Sequence, residues 1–96
     1  MTAGMDIVWS RTAVADLVSL RAYIQQHNPR AAVRVARAIL ARVERLADFP
    51  AQGRPGRVPH TRELIVPDTP FIVVYTVAGE TIRIAAVLHA ARKWPE

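Results

Sequence analysis

The stretch PFIVVYTVAGETIRIAAVLH, from Pro70 to His89, limits the possible architectures more than any other part of the chain. Phe71 to Val77 and Thr81 to Leu88 are runs rich in β-branched and aromatic residues, separated by Ala78-Gly79-Glu80, a pattern that predicts a β-hairpin. Neither run alternates cleanly between apolar and polar residues, so both strands are expected to be apolar on both faces. Such strands belong in the interior of a sheet, and other segments must cover them.

The preceding residues supply that cover. Asp6 to Trp9 is a short apolar segment, bounded by Gly4 and Ser10, that predicts a strand. Ser10 has the chemistry of a helix N-cap, and Ala13, Leu17, Leu20 and Ile24 then recur at helical spacing as a core-facing stripe. His27-Asn28-Pro29 ends this helix and starts another: Pro29 disfavours a helical Asn28, yet suits the first position of the next helix with Asn28 as its cap. The short connection predicts an antiparallel helix hairpin. The second helix, from Pro29 to about Ala47, carries Val35, Ala36, Ile39, Val43 and Leu46 on one face. Arg30, Arg34, Arg37 and Arg45 form a separate stripe, either a solvated basic face or a surface for a polyanion.

Phe49-Pro50 stops the helix, and the Gly- and Pro-rich segment Ala51 to His60 predicts a loop. It lacks the phosphate-loop pattern, so Gly53 and Gly56 supply turn geometry while Arg54 and Arg57 are expected to be mobile positive charges. Arg62 to Val66 predicts a strand and Pro67-Asp68-Thr69-Pro70 a turn into the hairpin. The expected fold is α+β: an N-terminal strand, an antiparallel helix hairpin and a three-stranded antiparallel meander, with the helices packed on one face of the sheet.

The length of 96 residues suits a single domain over residues 1–96, large enough to bury roughly 60% of its unfolded surface without a metal or disulfide. The absence of cysteine excludes disulfides, thiolate metal sites and a cysteine nucleophile. His27, His60 and His89 are not at metal-ligand spacing, and neither a metal nor a cofactor is expected. The opening MTAGMDIVWS has no basic region followed by a long apolar run, and no segment has the length of a membrane span, so a cytoplasmic protein without membrane contact is expected. The formal charge is +5, and of the thirteen cationic side chains only Lys93 is not arginine. An excess of planar, fork-shaped donors favours an anionic partner such as nucleic acid or an acidic protein surface, beside the simpler role of keeping a small domain soluble.

Several short motifs occur in a telling order. They are Ser10-x-x-Ala13-x-x-Asp16-Leu17, Phe49-Pro50, Gly53-Arg54-Pro55, Arg62-Glu63-Leu64, Val73-Val74-Tyr75-x-Val77 and Ile84-x-x-Val87-Leu88-His89-x-x-Arg92. Together with the opening strand they resemble the RelE/ParE superfamily of toxins from type II toxin-antitoxin modules, over nearly the whole chain. The resemblance implies a cognate antitoxin whose C-terminal segment adds a helix or strand to the toxin surface, in a hetero-oligomer. Members similar to RelE are ribosome-dependent messenger ribonucleases, whereas those similar to ParE bind DNA gyrase and need no catalytic residues. In the nuclease group a central strand carries an arginine in a YRLVY-like motif; the corresponding position here is Ile72, within Phe71-Ile72-Val73-Val74-Tyr75. The ending Lys93-Trp94-Pro95-Glu96 also lacks the terminal tyrosine or histidine usual in that group. The resemblance therefore leans toward ParE, with growth inhibition through gyrase.

On the ribonuclease alternative, with ribosome and messenger as partners, His89 would be the general acid or base and Arg62, Arg83 and Arg92 would surround a phosphate, provided the sheet brings them together. Otherwise His89 packs or hydrogen-bonds, and Arg83 pairs with Glu63 or Glu80. Candidates for antitoxin or target contact are Arg30, Arg34, Arg37, Arg54, Arg57, Lys93 and Trp94, the last of which either packs the chain end or anchors a partner. Tyr75 is expected to be buried, with its hydroxyl satisfied by a hydrogen bond. A non-toxic module that only binds antitoxin is the remaining alternative.

Overall fold

A computed structural model describes residues 4–91. Strand β1 (Asp6–Trp9) leads into helices α1 (Arg11–His27) and α2 (Pro29–Glu44), the latter tightening into a 3-10 turn over Arg45–Ala47. Strands β2 (Arg54–Pro55), β3 (Arg62–Ile65), β4 (Phe71–Ala78) and β5 (Thr81–His89) follow. The helix boundaries arise from the caps. Ser10 Oγ accepts from the amide of Ala13 at 3.0 Å, and Asn28 Oδ1 accepts from Ala31 at 3.1 Å with Pro29 in the first turn.

The five strands form one sheet in the order β1-β5-β4-β3-β2. β3, β4 and β5 are the antiparallel meander, and β1 adds parallel to β5, with Ile7 opposite Ile82 and Trp9 opposite Ile84. Gly79, the first of the two loop residues between Ala78 and Thr81, has φ of 59°, the left-handed conformation a two-residue hairpin of this kind requires. The expected loop Ala51 to His60 contains one feature the composition concealed. Arg54 and Pro55 pair with Glu63 and Arg62 as β2, a strand too short and too rich in turn residues to show a period.

Both helices cover one face of the sheet. Val35, Ile39, Val43 and Leu46 of α2 and the following turn, with Ala13 of α1, pack on Leu64, Val73, Tyr75, Ile82, Ile84 and Val87. The interior strands are apolar on the other face too, where Ile72, Val74, Ala86 and Leu88 form a second buried cluster. That two-sided burial is why β4 and β5 show no alternation.

Arg45, at the C-terminal end of α2, still donates its amide to the Ala41 carbonyl in α-helical register, and its guanidinium lies over the Phe49 ring, 6.0 Å from its centroid.

Candidate functional site

The segment between α2 and β3 is held by a set of polar bonds around Tyr75 and Glu63. Tyr75, fully buried, donates its hydroxyl hydrogen to the Pro50 carbonyl at 2.8 Å and accepts from the Gly53 amide at 2.8 Å. Gly53 is required by that contact, because a Cβ there would lie 2.7 Å from the tyrosine ring. Arg62 Nη1 donates to the carbonyls of Gly53 at 2.7 Å and Ala51 at 3.3 Å. Glu63, only 2% exposed, accepts from Arg54 Nη2 at 3.3 Å and from the Arg57 amide at 2.9 Å, with Arg57 Nε 3.7 Å away. Arg54 and Arg57 are therefore ion-pair partners of a buried carboxylate rather than loose charges. The motifs Gly53-Arg54-Pro55, Arg62-Glu63-Leu64 and the tyrosine of Val73-Val74-Tyr75 meet in this one bonded unit.

A second polar set ties α1 to β5. β1 covers β5 only as far as Ile84, and Ala85 is then an extra residue, since Tyr75 pairs with Ile84 and Val74 with Ala86. Ser10 Oγ donates to the Ala85 carbonyl at 3.0 Å, and Asp16 Oδ2 accepts from the Val87 amide at 2.9 Å. Side chains of α1 thus occupy backbone groups that a longer β1 would have paired. Beside Asp16 lies a groove of 550 Å³, lined by Leu20, Tyr23 and Ile24 of α1 and by Phe71, Val87 and His89 of the sheet. Tyr23 is 67% exposed at its rim.

Of the residues proposed for phosphate chemistry, the three that are described, His89, Arg62 and Arg83, do not converge. His89 and Arg62 share the helix-covered side of the sheet, but their partners on β4, Phe71 and Tyr75, are four residues apart, about 13 Å of strand. Arg83 pairs in register with Thr76 and Val8 and projects from the opposite face. Neither Glu63 nor Glu80 forms an ion pair with Arg83; Glu63 is taken by Arg54 and Arg57. His89 packs edge-on against Phe71 with ring centroids 5.7 Å apart, and its Nδ1 accepts from the Ala91 amide at 3.1 Å. Arg30, Arg34 and Arg37 are exposed along α2. Arg92, Lys93 and Trp94 lie outside the described residues. Among the described residues no group of three His, Cys, Asp or Glu side chains is placed to hold a metal. No described helix is long and apolar enough to cross a membrane.

The sequence did not reveal that Ser10 and Asp16 act together on β5. The available signal was Asp16 beside the apolar stripe of α1, a polar side chain nearly two turns past the cap with no opposite charge three or four residues away.

A mixed sheet in this order, covered on one face by a helix hairpin, defines a toxin of the RelE/ParE superfamily. The family described as "ParE toxin of type II toxin-antitoxin system, parDE" matches residues 7–94, and the chain belongs to that family. It is 41% identical over 90 residues to "Putative toxin Y4kP" of Sinorhizobium fredii (strain NBRC 101917 / NGR234), covering 94% of this chain and 93% of the relative. It is 36% identical over 87 residues to "Toxin RelE2" of Caulobacter vibrioides, covering 91% of this chain and 97% of that protein. A solved chain of the "Chromosomal ParDE TA system from P. aeruginosa" superposes with a TM-score of 0.81 at 28% identity, over 88% of this chain and 95% of the other. The chain is the toxin of a type II toxin-antitoxin module, with an antitoxin as its partner.

Proposed function

We propose that this toxin arrests growth by binding DNA gyrase, with no covalent chemistry of its own, and that its antitoxin neutralises it by covering the same surface. The observation that carries this is the setting of Ile72. The position where the nuclease group has an arginine holds a side chain 4% exposed, clustered with Val74, Ala86 and Leu88. An apolar cluster cannot stabilise charge on a phosphate. The spread of His89, Arg62 and Arg83 over two faces and about 13 Å supports the same reading. For the antitoxin, the groove between α1 and β5 offers apolar side chains beside an edge that β1 leaves uncovered, which suits an amphipathic segment that folds on binding.

Pulse-labelling of DNA and protein synthesis immediately after induction without antitoxin tests the target. An early fall in DNA synthesis, with inhibition of supercoiling by purified gyrase, is expected. An early fall in protein synthesis with messenger cleavage would instead support a ribosome-dependent ribonuclease. One observation favours that second reading: His89 is exposed at the end of β5, with its Nδ1 accepting from the Ala91 amide. On the gyrase reading His89→Ala retains growth arrest unless His89 touches gyrase. No effect on either synthesis would leave a module that only binds antitoxin.

A further inference from the structure

Ten of the eleven described arginines fall into two sets; the eleventh, Arg83, is exposed on the opposite face of the sheet. From Arg42 to Arg62 each has an intramolecular role. Arg42 Nε donates to the Ile65 carbonyl at 3.2 Å, Arg45 lies over Phe49, Arg54 and Arg57 hold Glu63, and Arg62 binds the loop carbonyls. In the helix hairpin, Arg11, Arg21, Arg30, Arg34 and Arg37 are all exposed, and none has an ion-pair partner among the described residues. α1 and α2 carry only two carboxylates, Asp16 and Glu44, and Asp16 is engaged by the Val87 amide. Of the six described arginines with no ion pair, side-chain hydrogen bond or ring contact, five thus lie on the hairpin, and Arg83 is the sixth. On α2, Arg30, Arg34 and Arg37 share one stripe, stepping about 6 and 4.5 Å along the axis.

We propose that this face of α2 binds the backbone of duplex nucleic acid, with Arg30, Arg34 and Arg37 each contacting a phosphate. Guanidinium forks match phosphate oxygens, and a duplex presents a phosphate about every 3.4 Å along each strand, so successive arginines can reach separate phosphates. A duplex is favoured over a single strand because the stripe has no stacking platform: Tyr23 lines the groove and Phe49 lies under Arg45. An acidic protein is the competing occupant, since Val33 and Leu40 beside the stripe are partly exposed. Phosphate is favoured because the row itself consists of cations with no carboxylate or apolar anchor between them. The contact is sequence-independent and does not depend on gyrase being the target.

The test is fluorescence anisotropy of a labelled 20-base-pair duplex of arbitrary sequence with the full chain from cell-free synthesis, at KCl from about 25 to 200 mM. The triple substitution Arg30→Gln, Arg34→Gln and Arg37→Gln is compared with the wild type, with circular dichroism to establish that it folds. Loss of three phosphate contacts is expected to flatten the slope of log K against log salt by about 2.7. Affinity at the low-salt end should fall by tenfold or more. Arg83→Gln, on the opposite sheet face, is expected to leave the slope within one unit of the wild type. Equal slopes for wild type and a folded triple variant would overturn the proposal. So would absence of duplex binding at low salt, including the case in which the wild type binds a poly-glutamate peptide instead.

Discussion

Tyr75 shows how one side chain organises a loop with no regular structure of its own. Its ring fills the core between α2 and the sheet, while its hydroxyl joins Pro50 and Gly53, both in the segment that leaves α2. Tyr75→Phe keeps the ring but leaves a carbonyl and an amide unpartnered, and is expected to lower stability by about 1–3 kcal/mol. Gly53→Ala forces a methyl group against the same ring and should cost a similar amount, about 1–3 kcal/mol. Urea denaturation checks both; an unchanged midpoint for either would show that the loop relaxes without loss. Glu63 belongs to the same unit. Its burial is tolerated because Arg54, Arg57 and the Arg57 amide satisfy it, which removes two arginines from the pool available to a partner.

Among the elements, the junction of α1 with β5 is the least expected. β1 ends at Trp9 while β5 continues to His89, so half of one edge of β5 has no strand beside it. Ser10 and Asp16 meet that edge from the helix, and the extra residue Ala85 turns its carbonyl toward the cap. Asp16→Ala leaves the Val87 amide unpaired and is expected to cost about 1–3 kcal/mol, whereas Asp16→Asn keeps an acceptor and should cost under about 1 kcal/mol. Thermal unfolding of the two variants distinguishes them; equal losses would mean that the carboxylate charge, not the acceptor, matters. On the other side of the core, Ile39 is fully buried against the sheet, and Ile39→Ala is expected to cost about 2–5 kcal/mol.

At the scale of the whole molecule, positive charge and apolar surface are separated. All but one of the unpaired described arginines lie on the helix hairpin, Arg83 being the exception, and the apolar groove lies where α1 meets the end of β5. A partner that fills the groove binds only the folded toxin, so antitoxin at 100 times its dissociation constant should stabilise it by about 2.7 kcal/mol. Differential scanning calorimetry with increasing antitoxin reads this as a rising thermal midpoint. A constant midpoint would place the antitoxin on a surface that the unfolded chain also presents.

What the sequence determined by itself was the set of elements apart from β2, because caps, helical stripes, prolines and β-branched runs act over a few neighbouring residues. Ser10, Asn28-Pro29, Phe49-Pro50 and the Phe71 to Leu88 hairpin all lie where local chemistry places them. The ordered motifs also carried the family resemblance. What only the tertiary structure decided was which side chains meet. Glu63 could have paired with Arg83 on its own charge and position, yet the fold brings it Arg54 and Arg57, through a two-residue strand that has no periodic pattern. Ser10 and Asp16 bond residues more than seventy positions away. Such contacts depend on strand order and register, which are set by packing across the whole core, and short-range sequence patterns carry no record of them.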